Sequence, residues 1–72
     1  MNQYIVGLQV GGIFEQPHFT YRDIQTISAE SEEEAEKQYN KTNNCSYFYG
    51  KVIGVNGIRT IFDESPKHNS FN

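Results

Sequence analysis

The sequence predicts an α+β fold: a single small domain in the order β-β-α-β-β, with a four-stranded, mostly antiparallel sheet and one helix on one face. Three observations predict it. Apolar residues recur every second position along Tyr4, Val6, Leu8 and Val10, the period of a half-buried strand. Ser31-Glu32-Glu33-Glu34 has the form of a capping box, in which a hydroxyl accepts the backbone N–H three residues on and a carboxylate reaches back. Asn56-Gly57 separates two apolar runs, the strongest short hairpin signal a sequence carries.

The first strand is expected over about Asn2–Val10. Gly11-Gly12 ends it or forms a bulge, and Gln16-Pro17 marks a turn, because Pro17 favours an extended residue before it. A second strand is expected from His18 to Ala29. Phe19, Tyr21, Ile27 and Ala29 share one parity and Ile24 breaks it, so the strand is open to a bulge near Asp23. The helix is expected over about Glu32–Thr42, with acids in its first turn and Lys37 and Lys41 later, both suited to the helix dipole. Its apolar stripe is only Ala35 and Tyr39. Tyr47–Val55 reads as the third strand, with Tyr47, Tyr49, Lys51, Ile53 and Val55 on one face and Phe48, Gly50, Val52 and Gly54 on the other. Ile58–Asp63 reads as the fourth. The domain is thus expected over residues 1–63, with 64–72 (ESPKHNSFN) a frayed polar tail.

A chain of 72 residues with 36% hydrophobic side chains has room for one modest core. One short helix with two apolar contacts shelters part of one sheet face. Ile5, Ile24, Phe48 or Tyr49, and Ile61 or Phe62 cannot all lie under it, and the five tyrosines and five phenylalanines sharpen the mismatch. A sheet face left this apolar marks an interface. Self-association into a dimer or larger assembly follows as an expectation, through the sheet face or a strand edge. Half-exposed tyrosines keeping that face wet would be the alternative.

Nine acidic and six basic residues give a formal charge of −3. The cations are scattered, which argues against general nucleic-acid binding, and −3 is too little charge to imitate a duplex. Five of the nine acids lie between Glu30 and Glu36 and read as a solvated helix start. Cys45 is the one cysteine, so there is no internal disulfide, and a lone thiol suits a reducing cytosol. The N-terminus has no basic n-region followed by an apolar run, and no apolar stretch is long enough to span a bilayer. The expected location is therefore cytoplasmic, with no membrane partner.

Catalytic chemistry has little to stand on. Cys45 follows a helix C-terminus, where the dipole raises a thiol pKa, and His18 and His68 lie in a turn and in the tail. No ligand spacing points to a metal, no glycine loop leads into a lysine and a helix, and no cofactor is implied. The more suggestive group is aromatic and cationic: Tyr21 and Arg22 in the second strand, Tyr47, Tyr49 and Lys51 in the third, and Arg59 in the fourth. Aromatic rings stack on bases and cations pair with phosphates, so these residues could hold a small nucleotide. Tyr and Arg also enrich protein–protein interfaces, and both readings stand at this point.

The segment Thr26-Ile27-Ser28-Ala29-Glu30-Ser31-Glu32-Glu33-Glu34-Ala35 resembles the strand-into-helix joint, V-x-A-x-S-x-E-E-A, of small β-α-β accessory proteins of phages and mobile elements of Gram-positive bacteria. The resemblance covers about ten of the 72 residues. It implies a non-catalytic binding protein that inhibits or sequesters its target by occupancy, as a phage-encoded factor directed against host defence. The expected target is a host protein or a small nucleotide signal. A structural subunit docking on a larger assembly is the competing expectation.

Overall fold

The computed structural model describes residues 1–12, 14–15, 17–43 and 50–64. Strand β1 (Asn2–Val10) and β2 (Thr20–Ala29) are followed by helix α1 (Glu32–Asn43), β3 (Gly50–Val55) and the two-residue β4 (Ile58–Arg59). All pairings are antiparallel and the strand order is β2-β1-β3-β4, the expected α+β architecture.

Each local signal operates as physics requires. Ser31 Oγ accepts the Glu34 N–H at 3.2 Å, and the Ser31 carbonyl accepts Ala35 N–H at 3.0 Å, which is the forward half of a capping box. At the other end the Asn43 amide donates to the Tyr39 carbonyl at 2.9 Å. This side-chain bond satisfies one of the last helical carbonyls, and the helix ends one residue past the expected Thr42. Asn56 and Gly57 both have positive φ, 52° and 84°, as a type I′ turn demands. Asn56 N–H also donates to the Gln3 carbonyl at 2.6 Å, fastening the turn to the start of β1.

Two bulges set the shape of the sheet. Val6 pairs with Gln25 and Leu8 with Arg22, so Asp23 and Ile24 together face Gly7, and Asp23 takes φ 49°. Ile5 pairs with Gly54 and Val6 with Val52, which leaves Ile53 as the extra residue of β3. A bulge bends its strand, increases twist and reverses the parity of the residues beyond it. The first lies where the sequence left room for one. The second overturns the expected faces of β3, because Val52 and Val55 both lie on the helix side and Ile53 on the other. The first has the same effect on β2: Tyr21 shares no face with Ile27 and Ala29.

The main core lies between the sheet and α1. It contains Tyr4, Val6, Ala29, Ala35, Tyr39 and Val52, with Leu8, Ile27 and Val55 at its rim. Ala35 and Tyr39, the two apolar helix positions, are fully buried. The Tyr39 hydroxyl donates to the Asp23 carbonyl at 2.8 Å, so the ring that fills the core also satisfies the bulge. Its ring lies against Gly50, where a Cβ would overlap it.

β4 is much shorter than the expected Ile58–Asp63. Thr60 and Ile61 both donate their N–H to the Ile53 carbonyl, at 2.8 and 3.1 Å. With one acceptor serving two donors the ladder cannot advance, and the chain leaves the sheet edge. Residues 60–64 then run to the opposite edge, where Glu64 N–H donates to the Phe19 carbonyl at 2.8 Å. Glu64, placed by the sequence at the start of a polar tail, is thereby tied to β2. The rest of that expected tail, the start of the third strand at Tyr47–Tyr49, and Cys45 and His68 lie outside the described residues.

Candidate functional site

The sheet face turned away from α1 carries the side chains from which a function can be argued. Ile53 is fully buried there and Tyr21 is 9% exposed, although no helix covers them. Gly7 lies between them, its open position flanked by Tyr21, Ile24 and Ile53. Among the described residues the cover comes from the curl of the sheet and from residues 60–64, which bond to Ile53 at one edge and to Phe19 and Tyr21 at the other. Part of the apolar surplus read from the composition is therefore absorbed by the chain itself.

Arg59 is the hub of the strap. Its Nε–H donates to the Ile61 carbonyl at 2.8 Å, and its guanidinium pairs with Asp63 at 3.2 Å. It also lies 5.2 Å from the centre of the Phe62 ring and 6.0 Å from that of Tyr21, within cation–π range. Asp63 Oδ1 in turn accepts the Tyr21 N–H, and Glu64 Oε1 the Phe19 N–H, both at 3.1 Å. The Tyr21 hydroxyl donates to Gln9 Oε1 at 3.1 Å. Burial, then the negative charges of Glu64 and Asp63, hold the Tyr21 phenol above its ordinary value, and Arg59 opposes them.

Of the six residues singled out in the sequence, Tyr21 and Arg59 come together on this face. The exposed Lys51, paired with Gly7 in β3, shares it. Arg22 does not: it pairs with Leu8, on the helix side. Tyr47 and Tyr49 lie outside the described residues. Tyr21 offers little free ring surface, and the Arg59 guanidinium is already engaged by Asp63 and a carbonyl. Ile24, Ile58 and Phe62 remain open, at 44, 67 and 61% exposure. Among the described residues no cluster of three or more His, Cys, Asp or Glu could hold a metal ion. A hollow of about 180 Å³ at the helix start is lined by Ser31, Glu33, Glu34 and Lys37, and it reads as the solvated first turn.

Sequence reasoning missed the side chains that plug strand edges. Val52 N–H donates to Glu36 Oε2 at 3.0 Å and Gly50 N–H to Asn40 Oδ1 at 2.6 Å. These acceptors occupy edge donors of β3 that β4 is too short to reach, as Asp63 and Glu64 occupy those of β2 at the opposite edge. Glu36 read as one more acid of a solvated helix start. The available signal was its i, i+4 spacing to Asn40, one position on from the buried pair Ala35 and Tyr39, which places both beside the buried stripe. No protein-family model, no curated protein and no solved structure matches this chain.

Proposed function

We propose that this chain is a non-catalytic binding protein that inhibits or sequesters a protein target by occupying it. In the setting implied by the resemblance at residues 26–35, the target is a component of host defence. One observation carries the reading. After the strap has closed over Ile53 and Tyr21, the strap's own Phe62 still stands 61% exposed, backed by Arg59 at 5.2 Å. An aromatic side chain held out beside an arginine is the composition of an interface anchor. Ile24, also open and beside Gly7 and Tyr21 on the same face, extends the apolar surface near the strap.

A small nucleotide is the weaker choice of ligand. Of the residues singled out for stacking and phosphate contact, Tyr21 is covered and Arg59 is paired with Asp63, which leaves the exposed Lys51 as the one free member on this face among the described residues. The test is Phe62→Asp. The wild-type chain should form a stoichiometric complex with its target, and the variant should lose it while keeping its melting temperature within a few degrees. Undiminished complex formation by the variant would reject the Phe62 surface. A nucleotide-sized adduct on the wild-type chain in native mass spectrometry would replace the protein target with a nucleotide.

A further inference from the structure

The edges of this sheet are protected unequally. The outer edge of β3 is closed by β4 at Gly54 and Val55, by Thr60 and Ile61 at Ile53, and by the side chains of Glu36 and Asn40 at Val52 and Gly50. The outer edge of β2 is closed at Phe19 and Tyr21 by Glu64 and Asp63. Beyond the bulge no described residue closes it. Asn56 N–H donates to the Gln3 carbonyl, so Gln3, Ile5 and Gly7 turn their main-chain groups to β3. Tyr4 and Val6 turn theirs to Ile27 and Gln25 in β2. The main-chain groups of Thr26 and Ser28 consequently point out of the sheet, and no described residue bonds to them.

Sheet proteins guard such an edge with lysine, proline, an inward charge or a covering loop. Ile24-Gln25-Thr26-Ile27-Ser28-Ala29 carries neither lysine, proline nor any charge and is rich in strand-forming residues, and no described residue bonds to its outward main-chain groups. Exposure agrees, since Ile24, Gln25, Thr26 and Ser28 are all exposed.

We propose that this edge pairs with the same edge of a second copy, antiparallel about a twofold axis at Thr26, joining two four-stranded sheets into one. The segment suits itself better than a foreign strand. Thr26 meets Thr26 of the second copy, a favourable cross-strand pair, and Ser28 meets Ile24, so the residues whose main chain points outward face each other. No charge confronts a like charge along the paired stretch. At its ends the symmetry is complementary. Glu30 and the acidic first turn of α1 lie at one end, whereas Arg22, beside Asp23, lies at the other, towards which α1 runs with Lys41 in its last turn. An antiparallel twofold sets the acidic end of each copy beside the end of the other that carries Arg22 and Lys41. A closed twofold also uses the β2 edge of both copies against each other, so growth through this edge stops at two. This inference does not rest on Phe62 or on the target proposed above.

The test combines sedimentation of the full-length chain with amide hydrogen exchange read by NMR. The wild-type chain should sediment at twice its monomer mass, with the Thr26 and Ser28 amides protected. Thr26→Pro removes the donor on the axis and leaves the β1–β2 ladder intact, because that N–H does not serve it. It should raise the dimer Kd about thirtyfold or more, equivalent to ~2 kcal/mol. Thr26→Lys, which sets like charges on the axis, should give a monomer with an unchanged far-UV spectrum. A wild-type chain that stays monomeric into the millimolar range would overturn the proposal. So would a dimer whose Thr26 and Ser28 amides exchange freely, or one that survives Thr26→Lys. A different protein found paired along β2 of a monomeric chain would overturn it equally.

Discussion

Replacing Arg59 with methionine keeps the aliphatic stem of the side chain and removes its guanidinium. The structure gives the size of the effect. The Nε–H bond to the Ile61 carbonyl, 2.8 Å long, is a charged hydrogen bond contributing about 1.5 kcal/mol. The pair with Asp63 adds less, because the two side chains are 30 and 53% exposed and solvent screens such a pair to roughly 0.5 kcal/mol. The contacts with Phe62 and Tyr21, at 5.2 and 6.0 Å, are long and partly hydrated and contribute at most a similar amount, ~0.5 kcal/mol. A net loss of about 2 kcal/mol follows. In a domain of this length each kcal/mol moves the melting temperature by ~4–8 °C, so a drop of roughly 8–16 °C is expected in a thermal melt at neutral pH. The Tyr21 amide, bonded to Asp63 Oδ1 at 3.1 Å, should also lose hydrogen-exchange protection before the β1 amides do. A melt lowered by less than about 2 °C, with the Tyr21 amide still protected, would refute the strap as the device that closes this face.

Three further outcomes can be measured. Tyr39→Phe keeps the buried ring but leaves the Asp23 carbonyl without its 2.8 Å donor, and a chemical denaturation series should show a loss of ~1–2 kcal/mol. Gly57→Val forces a β-branched residue to φ 84° and should cost about 1–3 kcal/mol; an unaltered melt would remove the type I′ turn as a determinant. The third concerns pH. The Tyr21 phenol is raised above 10.0 in the folded chain by burial, Glu64 and Asp63, so the folded state holds this proton more tightly than the unfolded state. Its stabilising contribution is complete below pH 10.0 and is lost as pH rises through the folded value. The melting temperature should fall on the alkaline side of that range, and less steeply in Tyr21→Phe.

Much of the fold was legible in the sequence because its signals are contiguous. The alternation of β1, the Ser31 cap and the Asn56-Gly57 turn each engage residues a few positions apart, and each element formed where its signal lay. The bulge near Asp23 was legible too, through the parity break at Ile24. What the alternation could not reveal was the bulge at Ile53, which has no local mark. One extra residue there reverses every face assignment beyond it. The candidate site shows the same division. Tyr21 and Arg59 were singled out as aromatic and cation, and they do meet, whereas Arg22 falls on the other face because adjacent strand residues alternate.

By itself the sequence determined the element order, the antiparallel hairpins and an excess of apolar sheet surface over helical cover. Only the tertiary structure decided what became of that excess. Asp63 and Glu64 lie more than forty positions from Tyr21 and Phe19, and nothing local in either segment announces the other. Their meeting follows from two bulges that curl the sheet until its edges come within reach of five residues of chain. Ile53 and Tyr21 were thereby sealed by the polypeptide's own strap, and among the described residues Phe62, Ile24 and the β2 edge at Thr26 were left open.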